Sequence, residues 1–170
     1  VELSSVDYAG ELLEDLPDAL METGSGELPA TVQRAKNGIE DADTLVLLID
    51  SNRFVENERL DIDPYFDILR AVGDKDVILV ATKADILAED FREQRGLEAE
   101  QYYDEFKGYV NSRLGENQTI KSLQKQANGA DIHPVYYQTR INDNGERVPM
   151  RNSGSVVTVG FDHLLNILGK

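Results

Sequence analysis

Residues 76–85 read Asp-Val-Ile-Leu-Val-Ala-Thr-Lys-Ala-Asp. The run 77–81 is continuous, aliphatic and partly β-branched, which is the pattern of a strand buried on both faces of a parallel sheet. A polar tetrad, Thr82, Lys83, Ala84 and Asp85, follows at once. In an open α/β sheet ligands bind in the crevice at the carboxyl ends of the strands, so the tetrad marks where function is expected.

Outward from this stretch, strand and helix patterns alternate. Residues 44–49 form a second all-apolar strand, Thr-Leu-Val-Leu-Leu-Ile, ending in Asp50. After a short polar loop, Asp63 is placed to cap a helix with Pro64 at its first position, turning Tyr65, Phe66, Leu69 and Val72 inward and stopping at Gly73. Pro29 opens an earlier helix with Val32, Ala35, Ile39 and Ala42 on one face. Residues 11–27 mix acids with Gly24 and Gly26, which predicts a mobile loop containing one helical turn. Residues 1–6 alternate apolar and small polar side chains, a short strand that delivers Asp7 at its carboxyl end.

Downstream, residues 86–130 read as a helical segment between the third and fourth strands. Ala99, Tyr102, Phe106, Tyr109, Val110 and Leu114 mark a long amphipathic face closed by Gly115. Asn117 then caps a helix that buries Ile120, Leu123 and Ala127 and ends at Gly129. Residues 132–137 form a fourth strand leading into Gln138, Thr139 and Arg140. The Asn-Gly chemistry of residues 142–145 makes 141–158 a loop or small hairpin on the rim. A final helix carries Phe161, Leu164, Leu165 and Leu168, with Gly169 as its stop. The order describes one α/β domain over residues 1–170, doubly wound, with a mainly parallel sheet and helices on both faces.

Composition narrows the function. At 170 residues the chain can bury a core without disulfides or metals. It has no cysteine, and His133 and His163 are its two histidines, so thiol chemistry is excluded and a histidine-built metal centre is not expected. The lack of cysteine suits a cytoplasmic protein. No apolar run approaches the roughly 20 residues that span a bilayer, so membrane insertion is not expected. With 32 acidic against 17 basic residues the net charge is −15, which repels nucleic acid and anionic membranes. Asp is as common as Glu, and Lys is scarce relative to Arg. This balance resembles proteins of salt-loving organisms, and a melting temperature that rises between low and molar salt is its expected signature. Val1 stands in place of an initiator methionine and already lies in a strand pattern, so further chain is expected upstream.

Three strand ends carry residues that, in this order, resemble the second half of a P-loop GTPase domain of the Ras-like, translation-factor-related class. Asp7-Tyr8-Ala9-Gly10 matches the family's D-x-x-G, and it sits between a strand and a flexible segment, where the family keeps its second switch. Thr82-Lys83-Ala84-Asp85 matches its [N/T]-K-x-D guanine-recognition motif directly after an all-apolar strand. The chemistry needs a carboxylate, because guanine offers two adjacent N–H donors that one fixed carboxylate accepts together, and adenine does not. Tyr137-Gln138-Thr139-Arg140 lies where the family carries its S-A-K-like element. Gly160-Phe161-Asp162-His163-Leu164-Leu165 is similar to the start of its last helix, whose role is packing.

The resemblance implies roles residue by residue. Asp85 would read the base, the stem of Lys83 would cover one base face, and Thr82 would tie this loop to its neighbours. Gln138 and Thr139 would stand near the guanine carbonyl by position. Asp7 would hold Mg²⁺ through water, Gly10 would sense the γ-phosphate, and the cofactors would be GTP or GDP with Mg²⁺. The family's water-orienting Gln is replaced by Glu11, a carboxylate that phosphate repels, which weakens the case for it as a catalytic residue. The phosphate loop G-x-x-x-x-G-K-[S/T] is absent from the 170 residues. GTP hydrolysis is therefore expected of a complete domain, with this chain alone weak or inactive. The competing expectation is a non-catalytic scaffold that binds a protein partner through residues 86–130.

Overall fold

The computed structural model describes residues 16–21, 28–60, 62–73 and 75–169. At its centre β1 (Thr44–Asp50), β2 (Asp76–Thr82) and β3 (Ile132–Pro134) form a parallel sheet in chain order. The first two run in step, Thr44 against Asp76 and Asp50 against Thr82, so their carboxyl ends are level. Before β1 come α1 (Leu16–Leu20) and α2 (Ala30–Asp41); between β1 and β2 come α3 (Ser51–Val55) and α4 (Asp63–Val72). Between β2 and β3 come α5 (Asp85–Arg95), α6 (Tyr103–Leu114) and α7 (Gln118–Gln126). The fold is thus mixed α/β around a parallel sheet, and none of its helices is long and apolar enough to cross a membrane among the described residues.

Register and pleat decide which face holds the core. Leu45, Leu47 and Ile49 stand opposite Val77, Leu79 and Ala81, so these six share one face. On that face Leu47, Ile49, Leu79 and Ala81 pack with Leu69, Leu87, Phe91, Phe106, Val110 and Leu123 in one core. Leu45 joins a second cluster with Leu16, Val32, Ala35 and Ile68, which seats α1, α2 and α4 beside β1. Phe91 anchors the α5–α6 packing by tilted ring contacts to Phe106 and Tyr109, both with centroids 5.5 Å apart.

The opposite face is unevenly covered. Val80 is buried, but Val46 and Leu48 remain 37% and 51% exposed. An all-apolar β1 therefore has one open face among the described residues, although its composition reads as buried on both. Hydrophobicity reports what a side chain tolerates, and only the neighbouring elements decide what covers it.

Several local expectations shift. Ile62, not Asp63, is the N-cap of α4; Asp63 is its first helical residue and bonds Arg59 at 2.8 Å. The polar loop after β1 contains α3. The segment 86–130 is three helices, because Gly96 takes a left-handed conformation (φ 66°) at the end of α5 and residues 97–102 are a non-helical connection with a turn at 99–101. Ala99 and Tyr102 thus belong to a connection, and Tyr102 is exposed. Asn117 caps α7 as its sequence position suggests, its Oδ1 accepting from the N–H groups of Thr119 and Ile120.

The strand read over 132–137 breaks at Pro134, after which Val135 N–H donates to Ala81 O at 2.8 Å and the chain leaves the sheet. It enters an arm of short antiparallel pairs: β4 (Tyr136–Tyr137), β5 (Thr139–Ile141), β6 (Arg147–Pro149), β7 (Arg151–Asn152), β8 (Ser155–Val156) and β9 (Thr158–Val159). β5 pairs with β6, β7 with β8, and β4 with β9, closing the arm on itself. The arm ends in α8 (Phe161–Leu168), which stacks His163 on Tyr103 at 4.0 Å and Phe161 on Tyr137 at 5.6 Å.

β3 has no strand on its outer side among the described residues, and α6 supplies the missing partner. Asn111 Oδ1 accepts from Ile132 N–H at 2.9 Å while its Nδ2 donates to Ile132 O at 2.8 Å. One amide side chain thus replaces a strand residue in both directions, which satisfies backbone groups that burial would otherwise penalise.

Candidate functional site

The level ends of β1 and β2 bring Asp50 and the tetrad together. Thr82, the last residue of β2, donates from Oγ1 to Ile49 O at 3.3 Å, tying the two ends across the sheet. Lys83 follows with φ 53°, a left-handed conformation that costs a non-glycine residue on the order of 1–2 kcal/mol. Its Nζ reaches Asp50 Oδ2 at 2.7 Å. Ala84 is fully buried and its N–H donates to Val135 O at 3.4 Å, which links the tetrad to the exit from β3. Asp85 is half-buried and is the first residue of α5, where a carboxylate is favoured by the helix dipole.

Asp50 divides its two oxygens between two tasks. Oδ1 accepts from Asn52 N–H at 3.0 Å and Arg53 N–H at 3.5 Å and so caps α3; Oδ2 holds Lys83. Burial pushes its carboxyl up, but the Lys83 ammonium and the two N–H donors outweigh this and hold it below 3.8. A cavity of about 190 Å³ opens beside it, lined by Leu48, Arg53, Leu60 and Ile62. Ser51, wholly buried next to Asp50, has an Oγ with no hydrogen-bond partner among the described residues.

Tyr136 follows Val135, whose carbonyl Ala84 holds. Its hydroxyl donates to Glu100 Oε1 at 2.9 Å, and Gln138 Nε2 donates to the same oxygen at 2.6 Å. Burial first, and then the negative charges of Glu100, Asp85 and Glu98, push the Tyr136 phenol far up, so it stays a hydrogen-bond donor. Tyr136 thereby joins the neighbourhood of Asp85 to Glu100 and Gln138.

Of the residues singled out by sequence, Thr82, Lys83 and Asp85 lie together at the carboxyl end of the central strand. Gln138 and Thr139 lie in the arm. The Gln138 N–H donates to Val157 O at 2.9 Å, its carbonyl accepts from Met150 N–H at 2.7 Å, and Thr139 pairs with Pro149 in β5. Its backbone N–H is therefore already engaged, and the loop contact that the resemblance implies for this element has no free amide at Gln138. Asp7, Gly10 and Glu11 lie outside the described residues, so the Mg²⁺ and γ-phosphate roles have no geometry here. Among the described residues no cluster of three His, Asp or Glu side chains is placed to hold a metal.

Sequence reasoning missed three participants. Asp50 has no role in the sequence reading beyond ending the second strand, yet a terminal Asp level with the tetrad is the signal that identifies it. Glu100 and Tyr136 meet across 36 residues, and nothing local announces the contact. A second, larger cavity of about 480 Å³ lies between α5 and α6, lined in part by Phe91, Arg95, Tyr109, Ser112 and Arg113. Comparison of the chain with protein-family models, with curated proteins and with solved structures returns no match.

Proposed function

We propose that this chain supplies the base-recognition half of a guanine-nucleotide-binding, GTPase-like domain. The observation that supports it is the Thr82-Lys83-Ala84-Asp85 tetrad at the carboxyl end of the central strand, with Thr82 tied to β1 and Lys83 held by Asp50. In this reading the Asp85 carboxylate accepts the two adjacent N–H donors of guanine, a pattern that adenine cannot satisfy. Lys83 lays its aliphatic stem along the base. The doubly wound architecture of the complete domain, Mg²⁺ held through Asp7, and a γ-phosphate contact at Gly10 belong to the same proposal. Phosphate grip comes from backbone amides and a lysine in such domains, and the 170 residues contain no loop of that kind. Base affinity here is correspondingly weak, and GTP hydrolysis requires a phosphate loop from outside these residues.

The test is calorimetry of GTP, ATP and XTP against the chain joined to a phosphate loop, with Asp85→Asn as comparison. GTP preference in the wild type, shifted toward XTP by Asp85→Asn, is expected, because an amide can donate to the xanthine C2 carbonyl. A GTP preference that survives Asp85→Asn refutes the assignment. The second reading, a partner-binding scaffold, is favoured by one observation: the larger cavity lies on the α5–α6 surface, lined by none of the tetrad residues. Equal failure of all three nucleotides selects it.

A further inference from the structure

We infer that Asp50 is a positioning residue for Lys83, holding its ammonium so that the lysine stem lies in one conformation across the level ends of β1 and β2. For its functional consequence this rests on the guanine-reading assignment above. Three observations carry it. The pairing distance between Lys83 Nζ and Asp50 Oδ2 is 2.7 Å, and it crosses between adjacent strands rather than along one helix. The Asp50 side chain is itself immobilised, because Oδ1 is bound to two backbone N–H groups of α3. Lys83 sits in a left-handed backbone conformation that nothing but its surroundings can maintain, between the Thr82–Ile49 and Ala84–Val135 hydrogen bonds.

These features act together. A lysine stem has four rotatable bonds, and an exposed one samples many rotamers; binding a flat base under it costs the entropy of choosing one. Anchoring the ammonium to a carboxylate that is already fixed removes most of that choice before the ligand arrives. The division of oxygens makes the effect separable from folding. Asp50→Asn retains the oxygen that caps α3 and replaces the one that holds Lys83 by an amide NH2, a donor that cannot accept from an ammonium.

The experiment uses the full chain as wild type, Asp50→Asn and Asp85→Asn. Guanosine and xanthosine are titrated by ligand-observed NMR, ¹³C relaxation is measured at Lys83 Cε, and thermal midpoints are recorded. In Asp50→Asn, Lys83 Cε becomes mobile, guanosine binding weakens about two- to fivefold, the scale of one partly exposed ion pair, and the midpoint holds. Asp85→Asn changes which nucleoside is preferred, whereas Asp50→Asn weakens guanosine without changing the preference. Unaltered guanosine affinity in folded Asp50→Asn overturns the proposal. If the wild type binds neither nucleoside, the base-reading assignment falls, and relaxation decides the positioning: release of Lys83 in Asp50→Asn supports it, and no change overturns it.

Discussion

Gly160 lies where the arm returns to the sheet, and replacing it by alanine tests the packing behind the candidate site. Its φ of 83° is left-handed, and a Cβ built there stands 2.1 Å from Pro134 O and 3.0 Å from Tyr103 Cε2. The first term is conformational, about 1–2 kcal/mol for a non-glycine residue. The second is steric: the Pro134 contact is roughly 1 Å short of an ordinary C···O approach, and forced overpacking costs about 1–3 kcal/mol. The third follows from the second. Pro134 O accepts the buried Tyr103 hydroxyl at 3.1 Å, and moving the carbonyl strands that donor at about 1–3 kcal/mol. Together Gly160→Ala loses about 3–8 kcal/mol.

Gly96→Ala is the control, because Gly96 is also left-handed (φ 66°) but its Cβ would meet nothing within 4 Å. It is expected to lose only the conformational term, about 1–2 kcal/mol. The assay is urea denaturation followed by far-ultraviolet circular dichroism. With a slope of about 1–3 kcal/mol/M, Gly160→Ala lowers the midpoint by at least about 1 M relative to wild type. Losses for the two variants that agree within about 1 kcal/mol would refute the steric argument. The Tyr103 phenol, pushed up to about 12 mainly by burial, offers a second readout. If the Pro134 carbonyl withdraws and water enters, its ultraviolet titration moves back toward 10.0.

Two further outcomes are expected. Asn111→Leu leaves both backbone groups of Ile132 without their partner, and the variant loses about 2–4 kcal/mol in urea melts, with faster amide exchange at Ile132; unchanged exchange there would contradict the surrogate-strand role. His133 is held below 6.5 by burial first and by the Lys107 ammonium and His163, against the pull of Asp131. A depressed histidine stabilises the fold above its unfolded pKa, so its contribution is full above 6.5 and is lost as the pH falls below it. His133→Gln therefore flattens this part of the stability profile, and an equally steep profile in the variant rules the cause out.

The candidate site was legible to different depths at different residues. Thr82, Lys83 and Asp85 stood out because a continuous apolar run followed by a polar tetrad is a local pattern, and local patterns survive without knowledge of neighbours. Asp50 was visible only as the end of another strand. Its role depends on the registers of β1 and β2 coinciding, so that residues 33 positions apart meet. Gln138 shows the opposite case. Its position after a strand suggested a loop open to ligand, but the strand broke at Pro134, which lacks an N–H, and the chain folded into an arm that engages the Gln138 backbone. The helical segment 86–130 was read correctly in kind and wrongly in continuity, since the face drawn through Ala99 and Tyr102 ignored Gly96 as a stop.

What the sequence determined by itself was the parallel α/β pattern, the central strand, the capping of α7 by Asn117 and the place of the polar tetrad. Each depends on interactions within a few residues: hydrophobic runs, side chains bonding nearby N–H groups, glycine at positive φ. Tertiary structure alone decided that Val46 and Leu48 stay exposed, that Asn111 completes the edge of β3, and that Lys83 turns to Asp50. Those outcomes are set by strand register and by which helix lies against which face. Pairing across 21 or 33 positions is a property of the assembled sheet, and no local preference encodes it.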